Sequence, residues 1–174
     1  MSEPFRFEIR DALDSDAEAL ISLIGAVFDE YPGCVLDVDG EMPQLRAVAT
    51  TFRGWGGGVW VVERDGRVVG CVACTPAKNE ARCLELRMLY VDKGSRRGGI
   101  ASKLCDLVEG EARARGAESV ELWSDTRFTD AHRLYERRGY VRGPETRELH
   151  DKSDTVEFYY RMSRPAIDLQ AAKA

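Results

Sequence analysis

The stretch that most restricts how this chain can fold is residues 84–115. It opens with the β-rich run Leu84-Glu-Leu-Arg-Met-Leu-Tyr-Val91 and passes through Asp92-Lys-Gly-Ser-Arg-Arg-Gly-Gly99. Ile100, Leu104, Leu107 and Val108 then recur at helical spacing, and Gly116 ends the pattern as a C-terminal glycine does. A long apolar strand, a glycine turn and an amphipathic helix in that order call for an α/β fold, with the helix packed on the sheet. Doubled glycines weaken a helix start, and doubled arginines sit badly against its positive end. Both become favourable when an anion occupies the turn: free N–H groups attract it, glycines admit it close to the backbone, and arginines add charge-assisted contacts. The other reading of this stretch is a plain glycine-rich turn with solvated arginines. A nucleotide-triphosphate loop does not fit. Gly94 and Gly99 have the spacing, but Ile100 and Ala101 follow where Lys and Ser or Thr are needed, and no G-x-G-x-x-G occurs.

Around this unit the pattern reads βααβββαβαββ, a mixed α/β layout. Phe5 to Arg10 alternates like a half-buried strand, and Ser15-Asp-Ala-Glu18 has the form of a capping box before Leu20, Ile24, Val27 and Phe28. Leu45, Val48, Ala49 and Phe52 mark a short second helix, followed by a flexible link, Gly54-Trp-Gly-Gly-Gly58. Val59 to Glu63 and Arg67 to Thr75 are strands joined at Asp65-Gly66, a hairpin signal. Ser119 to Trp123 is a further strand, a helix carrying Ala131, Leu134 and Tyr135 stops at Gly139, and Tyr140 to Arg142 and Thr155 to Met162 are the last strands, with a polar loop between them. The residues after Pro165 read as a frayed, flexible tail, 166–174.

Composition narrows the function. The 174 residues carry a formal charge of −5, so no overall basic field argues for nucleic acid. No run reaches the ~18 apolar residues that span a bilayer, and the polar, acidic N-terminus is unlike a secretory signal. A cytoplasmic protein with no membrane partner is expected. The five cysteines, an odd number, argue against a disulfide framework. Cys71 and Cys74 have ligand spacing, but positions i and i+3 of a strand face opposite ways, and no metal site is expected.

Arg96-Arg97-Gly98-Gly99-Ile100-Ala101 matches the (Gln/Arg)-x-x-Gly-x-(Gly/Ala) signature of the GNAT superfamily of N-acetyltransferases. The preceding Glu85–Val91 run looks like that family's central strand, and Ala131-His-Arg-Leu-Tyr-Glu-Arg-Arg-Gly-Tyr140 is similar to its A-x-x-L-Y-x-x-x-G-(F/Y) helix. The resemblance covers roughly residues 5–162. It implies one acetyltransferase domain over 1–165: a mostly antiparallel, twisted sheet of about seven strands, helices on both faces, and central strands splayed at the cofactor site. It also implies acetyl-CoA as co-substrate and no metal. The backbones of Leu89, Tyr90 and Val91 would pair with the pantetheine arm like an added strand. The turn Arg96, Arg97, Gly98, Gly99, Ile100, Ala101 and Ser102 would hold the pyrophosphate. A backbone N–H near Met88 or Leu89 would steady the oxyanion.

Tyr135 falls at the family's general-acid position, and Glu85 resembles a glutamate that serves many members as base, directly or through water. Arg87, on the same face as Glu85 by strand parity, is the alternative partner that would lock it in an ion pair. Glu121 and Asp125 are reserve bases. Two departures from the pattern are visible. Phe128 stands where many members carry Asn, so that hydrogen bond is either missing or supplied by Thr126, Thr129 or Asp130, and Trp123 stands where some place a glutamate base. Asp37, Asp39, Glu41, Glu145, Glu148, His150 and Asp151 supply an acidic set on the acceptor side, which either lines the site for a cationic small-molecule amine or is merely solvated. Tyr31 and Trp55 are candidate walls. Cys71 and Cys83 lack a basic neighbour that would make a nucleophile. The expected activity is acetyl transfer to a primary amine of a small molecule by direct attack in a ternary complex. A non-catalytic acyl-CoA sensor or interaction module and a protein lysine or N-terminal acetyltransferase stay open, as does a homodimer.

Overall fold

A computed structural model describes residues 6–173. Seven strands form one sheet: β1 (Glu8–Asp11), β2 (Gly58–Arg64), β3 (Arg67–Pro76), β4 (Cys83–Val91), β5 (Ser119–Asp125), β6 (Val141–Glu148) and β7 (Val156–Ser163). Their order is β1-β2-β3-β4-β5-β7-β6. Every neighbouring pair is antiparallel except β4 and β5, which are parallel because a helical crossover joins them. The expected sheet of about seven strands, mostly antiparallel with helices on both faces, is the one observed.

One face carries α1 (Ala17–Phe28) and α3 (Val48–Gly54), with the short α2 (Val38–Glu41) between them. Leu20, Leu23, Ile24 and Val27 of α1 pack with Val48 and Phe52 on Val61, Cys71 and Ala73. The opposite face carries α4 (Ile100–Ala114), α5 (Thr129–Arg138) and α6 (Arg164–Lys173). There Ile100, Leu104, Cys105 and Val108 meet Val72, Cys74, Leu84 and Leu122. Cys71 and Cys74 thus point into different cores, as strand parity requires. Among the described residues no helix is long and apolar enough to cross a membrane.

Several local readings change. Phe5 lies outside the described residues, and the first strand is Glu8–Asp11. Ser15 does not cap α1; the Asp16 carboxylate accepts the Leu13 N–H at 2.8 Å and is held by the Arg10 fork at 2.9 Å. The glycine link before β2 is a fitted turn: a Cβ on Gly57 would stand 1.9 Å from the Cys74 carbonyl oxygen. The polar loop expected after Arg142 is mostly strand, since β6 runs to Glu148 and bulges between Arg142 and Thr146. The tail expected to fray forms α6, with Ile167 fully buried in the core. Asp65 and Gly66 turn the β2–β3 hairpin with φ of 51° and 73°, as the sequence predicts.

Candidate active site

Strands β4 and β5 pair over only three positions, Cys83–Ser119, Leu84–Val120 and Glu85–Glu121, and then part. The cause lies in β4. Cys71 stands opposite Tyr90 and Ala73 opposite Arg87, so Met88 and Leu89 share one partner, Val72. Met88 takes the extra-residue conformation with φ 54°. Such a bulge bends its strand and reverses parity beyond it. Leu86 faces the α4 core, yet Met88 and Tyr90 pack toward α1 while Leu89 and Val91 return to the α4 side.

The gap opens into two cavities. One, of about 450 Å³, lies between the bulged strand, the start of α4 and the side of α5. Leu89, Tyr90, Val91, Arg96, Arg97, Gly99, Ile100, Ala101 and Ser102 all line it; of the predicted cofactor set Gly98 is the member off the lining. Arg97 and Gly99 adopt φ of 66° and 79°, which curls the turn so that α4 begins facing this space. No side chain caps α4. The first N–H groups of a helix have no intrahelical acceptor, so those of Ile100, Ala101 and Ser102 are left for an outside anion. A pyrophosphate fits there on that ground. Arg96 contributes differently from expectation: its Nη1 and Nη2 grip Glu30 at 2.7 and 2.6 Å, and its Nε donates to the Val91 carbonyl at 3.0 Å. It buckles the turn to the end of α1. Tyr31 walls this cavity, and Asp130 lines it while pairing with Arg133 at 2.8 Å; Thr126 and Thr129 are not on its lining.

The second cavity, about 410 Å³, lies on the α1 side and shares Leu89, Tyr90, Phe128 and Ala131 with the first. Phe128 stands between them, 4.8 Å from the Tyr31 ring and 6.3 Å from Phe28, as an apolar wedge. The outer wall is tied down. Arg127 binds Asp125 through Nε at 2.9 Å and Nη2 at 2.8 Å and donates to the Ser153 carbonyl, while the Ser153 hydroxyl bridges the backbone of Val35.

Tyr135 lines this second cavity from α5. Its ring packs 5.7 Å from Tyr140 and 5.8 Å from Tyr160, and burial pushes its phenol well above the ordinary tyrosine range. The phenol therefore keeps its proton across the physiological pH range. Glu85 also lines the cavity. Arg87 does not lock it; the guanidinium lies 5.6 Å from the centres of both Phe52 and Trp55 instead. The reserves are committed elsewhere: Asp125 to Arg127, and Glu121 to the Tyr159 hydroxyl at 2.8 Å. Glu80, Cys83 and Glu121 each bring one ligand atom within 4.8 Å of the others, but the Arg161 fork occupies Glu80 there.

The sequence reading overlooked Glu157. It reaches the same cavity from β7 in an ion pair with Arg147, and burial raises its carboxyl above the ordinary range, with Asp125 and Glu85 adding to the rise and Arg147 opposing it. Its signal was a carboxylate inside the apolar run Val156-Glu-Phe-Tyr-Tyr160. Of the acidic set expected on the acceptor side, only Glu41 and Asp151 reach the lining. Glu41 accepts the Lys152 N–H at 2.7 Å and Asp151 the Thr155 N–H and hydroxyl at 2.8 and 2.7 Å. Asp37 pairs with Lys152 and Asp39 with Arg46, and Glu145, Glu148 and His150 are exposed. Trp123 lines the cavity under Arg147, 4.4 Å above its ring. Burial raises Cys71 to about 12 and raises Cys83 as well, which suits core thiols.

Residues 23–140 match the model of the acetyltransferase (GNAT) family. An IAA acetyltransferase from Azospirillum brasilense is 33% identical over 138 residues, covering 78% of this chain and 82% of that protein. Other curated relatives are longer, and the chain spans 37% of their length. A GNAT-family acetyltransferase from Staphylococcus aureus Mu50 superposes with a TM-score of 0.77 at 21% identity, over 91% of this chain and 99% of that one. The Salmonella typhimurium protein YncA, solved with its cofactor acetyl-CoA, does so with a TM-score of 0.69 at 17% identity, over 90% and 93%. A bulged central strand, an uncapped helix start at its end and a family match spanning both lead to one assignment: this chain belongs to the GNAT family of acetyltransferases.

Proposed function

We propose that the protein moves acetyl from acetyl-CoA to the primary amine of a small molecule, by direct attack with both substrates bound. What carries this reading is the meeting of the two cavities at the β4–β5 gap, with Tyr135 and Glu85 on the acceptor side of the junction. The α4 cavity takes the diphosphate on the amides of Ile100 to Ser102, with Arg97 adding charge. Leu89, Tyr90 and Val91 border the pantetheine arm. Bound acetyl-CoA supplies the activated acyl group. A backbone N–H at the bulge of Met88 and Leu89 steadies the negative charge that develops on the carbonyl oxygen. Glu85, which makes no salt bridge among the described residues, favours an ammonium and removes its proton directly or through water, with Glu157, paired to Arg147, as the alternative base. Tyr135 gives its phenolic proton to the departing sulfur and regains one from solvent. No enzyme thiol is needed, consistent with the raised, buried cysteines. We place the reaction in the cytoplasm, a setting that the five free thiols favour.

The test is a panel of small amines scored by thiol release from acetyl-CoA, repeated with Glu85→Gln and Glu157→Gln. Turnover with at least one amine, and its loss in at least one variant, is expected. Tight binding of acetyl-CoA without thiol release for any amine would sink the reading and favour a non-catalytic acyl-CoA binder. Release only with peptides would move the assignment to a protein acetyltransferase.

A further inference from the structure

Resting on that proposed reaction, the charge layout of the acceptor cavity narrows the acceptor further. Five charged side chains of the sheet line it: Glu85 and Arg87 on β4, Asp125 on β5, Arg147 on β6 and Glu157 on β7. Asp125 is bound by Arg127. Arg147 and Glu157 neutralise each other. Glu85 and Arg87 remain, and among the described residues neither makes a salt bridge; Arg87 lies instead over Phe52 and Trp55, 5.6 Å from each ring centre. A guanidinium that lies over aromatic rings and not in an ion pair leaves its N–H donors for an outside oxyanion, which such a fork receives through two parallel hydrogen bonds. A cation that only braced the fold would be expected to find a carboxylate, as Arg10, Arg96, Arg127 and Arg138 do.

We propose that the acceptor is an amine that also carries a carboxylate, a small amino acid in the broad sense, with its ammonium at Glu85 and its carboxylate on Arg87. The two residues are i and i+2 on one strand, so their side chains rise from the same face about 6–7 Å apart. That separation suits the two charges of one small zwitterion. A polyamine or aminoglycoside would set a second positive charge against Arg87, an unfavourable pairing in a partly desolvated site.

The experiment compares matched pairs, each an amino acid and its carboxamide, by kcat/KM from thiol release. Wild-type protein is expected to favour the carboxylate member by about ten-fold or more, since a site built to pair an ion rejects the analogue that leaves it unpaired. Arg87→Gln is expected to reduce that preference to within about two-fold, and Arg87→Lys to keep part of it, a difference in selectivity that loss of packing alone would not produce. Equal rates for the two members with wild-type protein overturn the inference while leaving acetyl transfer intact. So does a preference that survives in Arg87→Gln. Release with neither member of any pair, with acetyl-CoA bound, overturns the small-molecule reading and this inference with it.

Discussion

Tyr135 shows how one side chain serves packing and chemistry together. Its ring is fixed between Tyr140 and Tyr160, which holds the phenol in one rotamer at the gap, and the same burial keeps the proton on oxygen. In the proposed reaction only the hydroxyl is used. Tyr135→Phe is therefore expected to fold normally and lower kcat by about ten-fold or more, with the KM for acetyl-CoA little changed, in steady-state thiol-release kinetics. Unchanged kcat would remove Tyr135 from proton transfer. Tyr135 was readable from its place in the A-x-x-L-Y motif. Glu157 was not, because nothing in its neighbourhood along the chain announces a cavity; it gains its setting from Arg147 across the β6–β7 ladder and from Glu85 on another strand.

Among the elements, the turn before α4 depends on a contact with α1. Glu30 lies just beyond α1, and its two charge-assisted bonds to Arg96, with the Arg96 Nε on Val91, fix where the strand ends and the helix amides begin. Glu30→Gln keeps the shape and removes the ionic half of this buckle. The expected result is a rise of about three- to ten-fold in the KM for acetyl-CoA with kcat nearly unchanged, measured with acetyl-CoA varied at fixed amine. An unaltered KM would mean that the turn holds its form without the buckle. The strand–turn–helix itself was legible from glycine placement and apolar spacing. Arg96 was legible as a residue of the turn, but not as one bound to a residue 66 positions earlier.

For the molecule as a whole, α4 and α5 must stay in register, since one presents the anion-binding amides and the other Tyr135. A buried network joins them: Arg138 donates to Glu109 at 3.0 and 2.6 Å and to Asp106 at 2.6 Å, and Arg138 and Glu109 side chains are 8% and 1% exposed. Removing one member of such a pair leaves the other buried and unpaired, whereas replacing both with apolar groups avoids that cost. Arg138→Met is expected to lower stability by about 3–5 kcal/mol, and Arg138→Met combined with Glu109→Leu to recover most of the loss, both read from denaturant midpoints. A double variant as unstable as the single one would show that the pair contributes stability as a unit.

Local sequence determined many of the pieces of this protein: the strands apart from most of β6, the Asp65-Gly66 hairpin, the glycine turn, the apolar faces of α1 and α4, and the motif that marks the family. These follow from short-range rules of periodicity, backbone freedom and capping, which neighbours along the chain suffice to express. Tertiary structure decided what those rules cannot reach. Strand parity put Glu85 and Arg87 on one face correctly but could not see the bulge at Met88 that reverses the face beyond them and parts β4 from β5. It could not see that the acidic loop residues would spend their charge on Lys152, Arg46 and backbone amides, or that α6 would be held by burying Ile167. Those outcomes depend on partners distant in sequence, because a charge or an apolar side chain takes its free energy from whatever the completed fold brings against it.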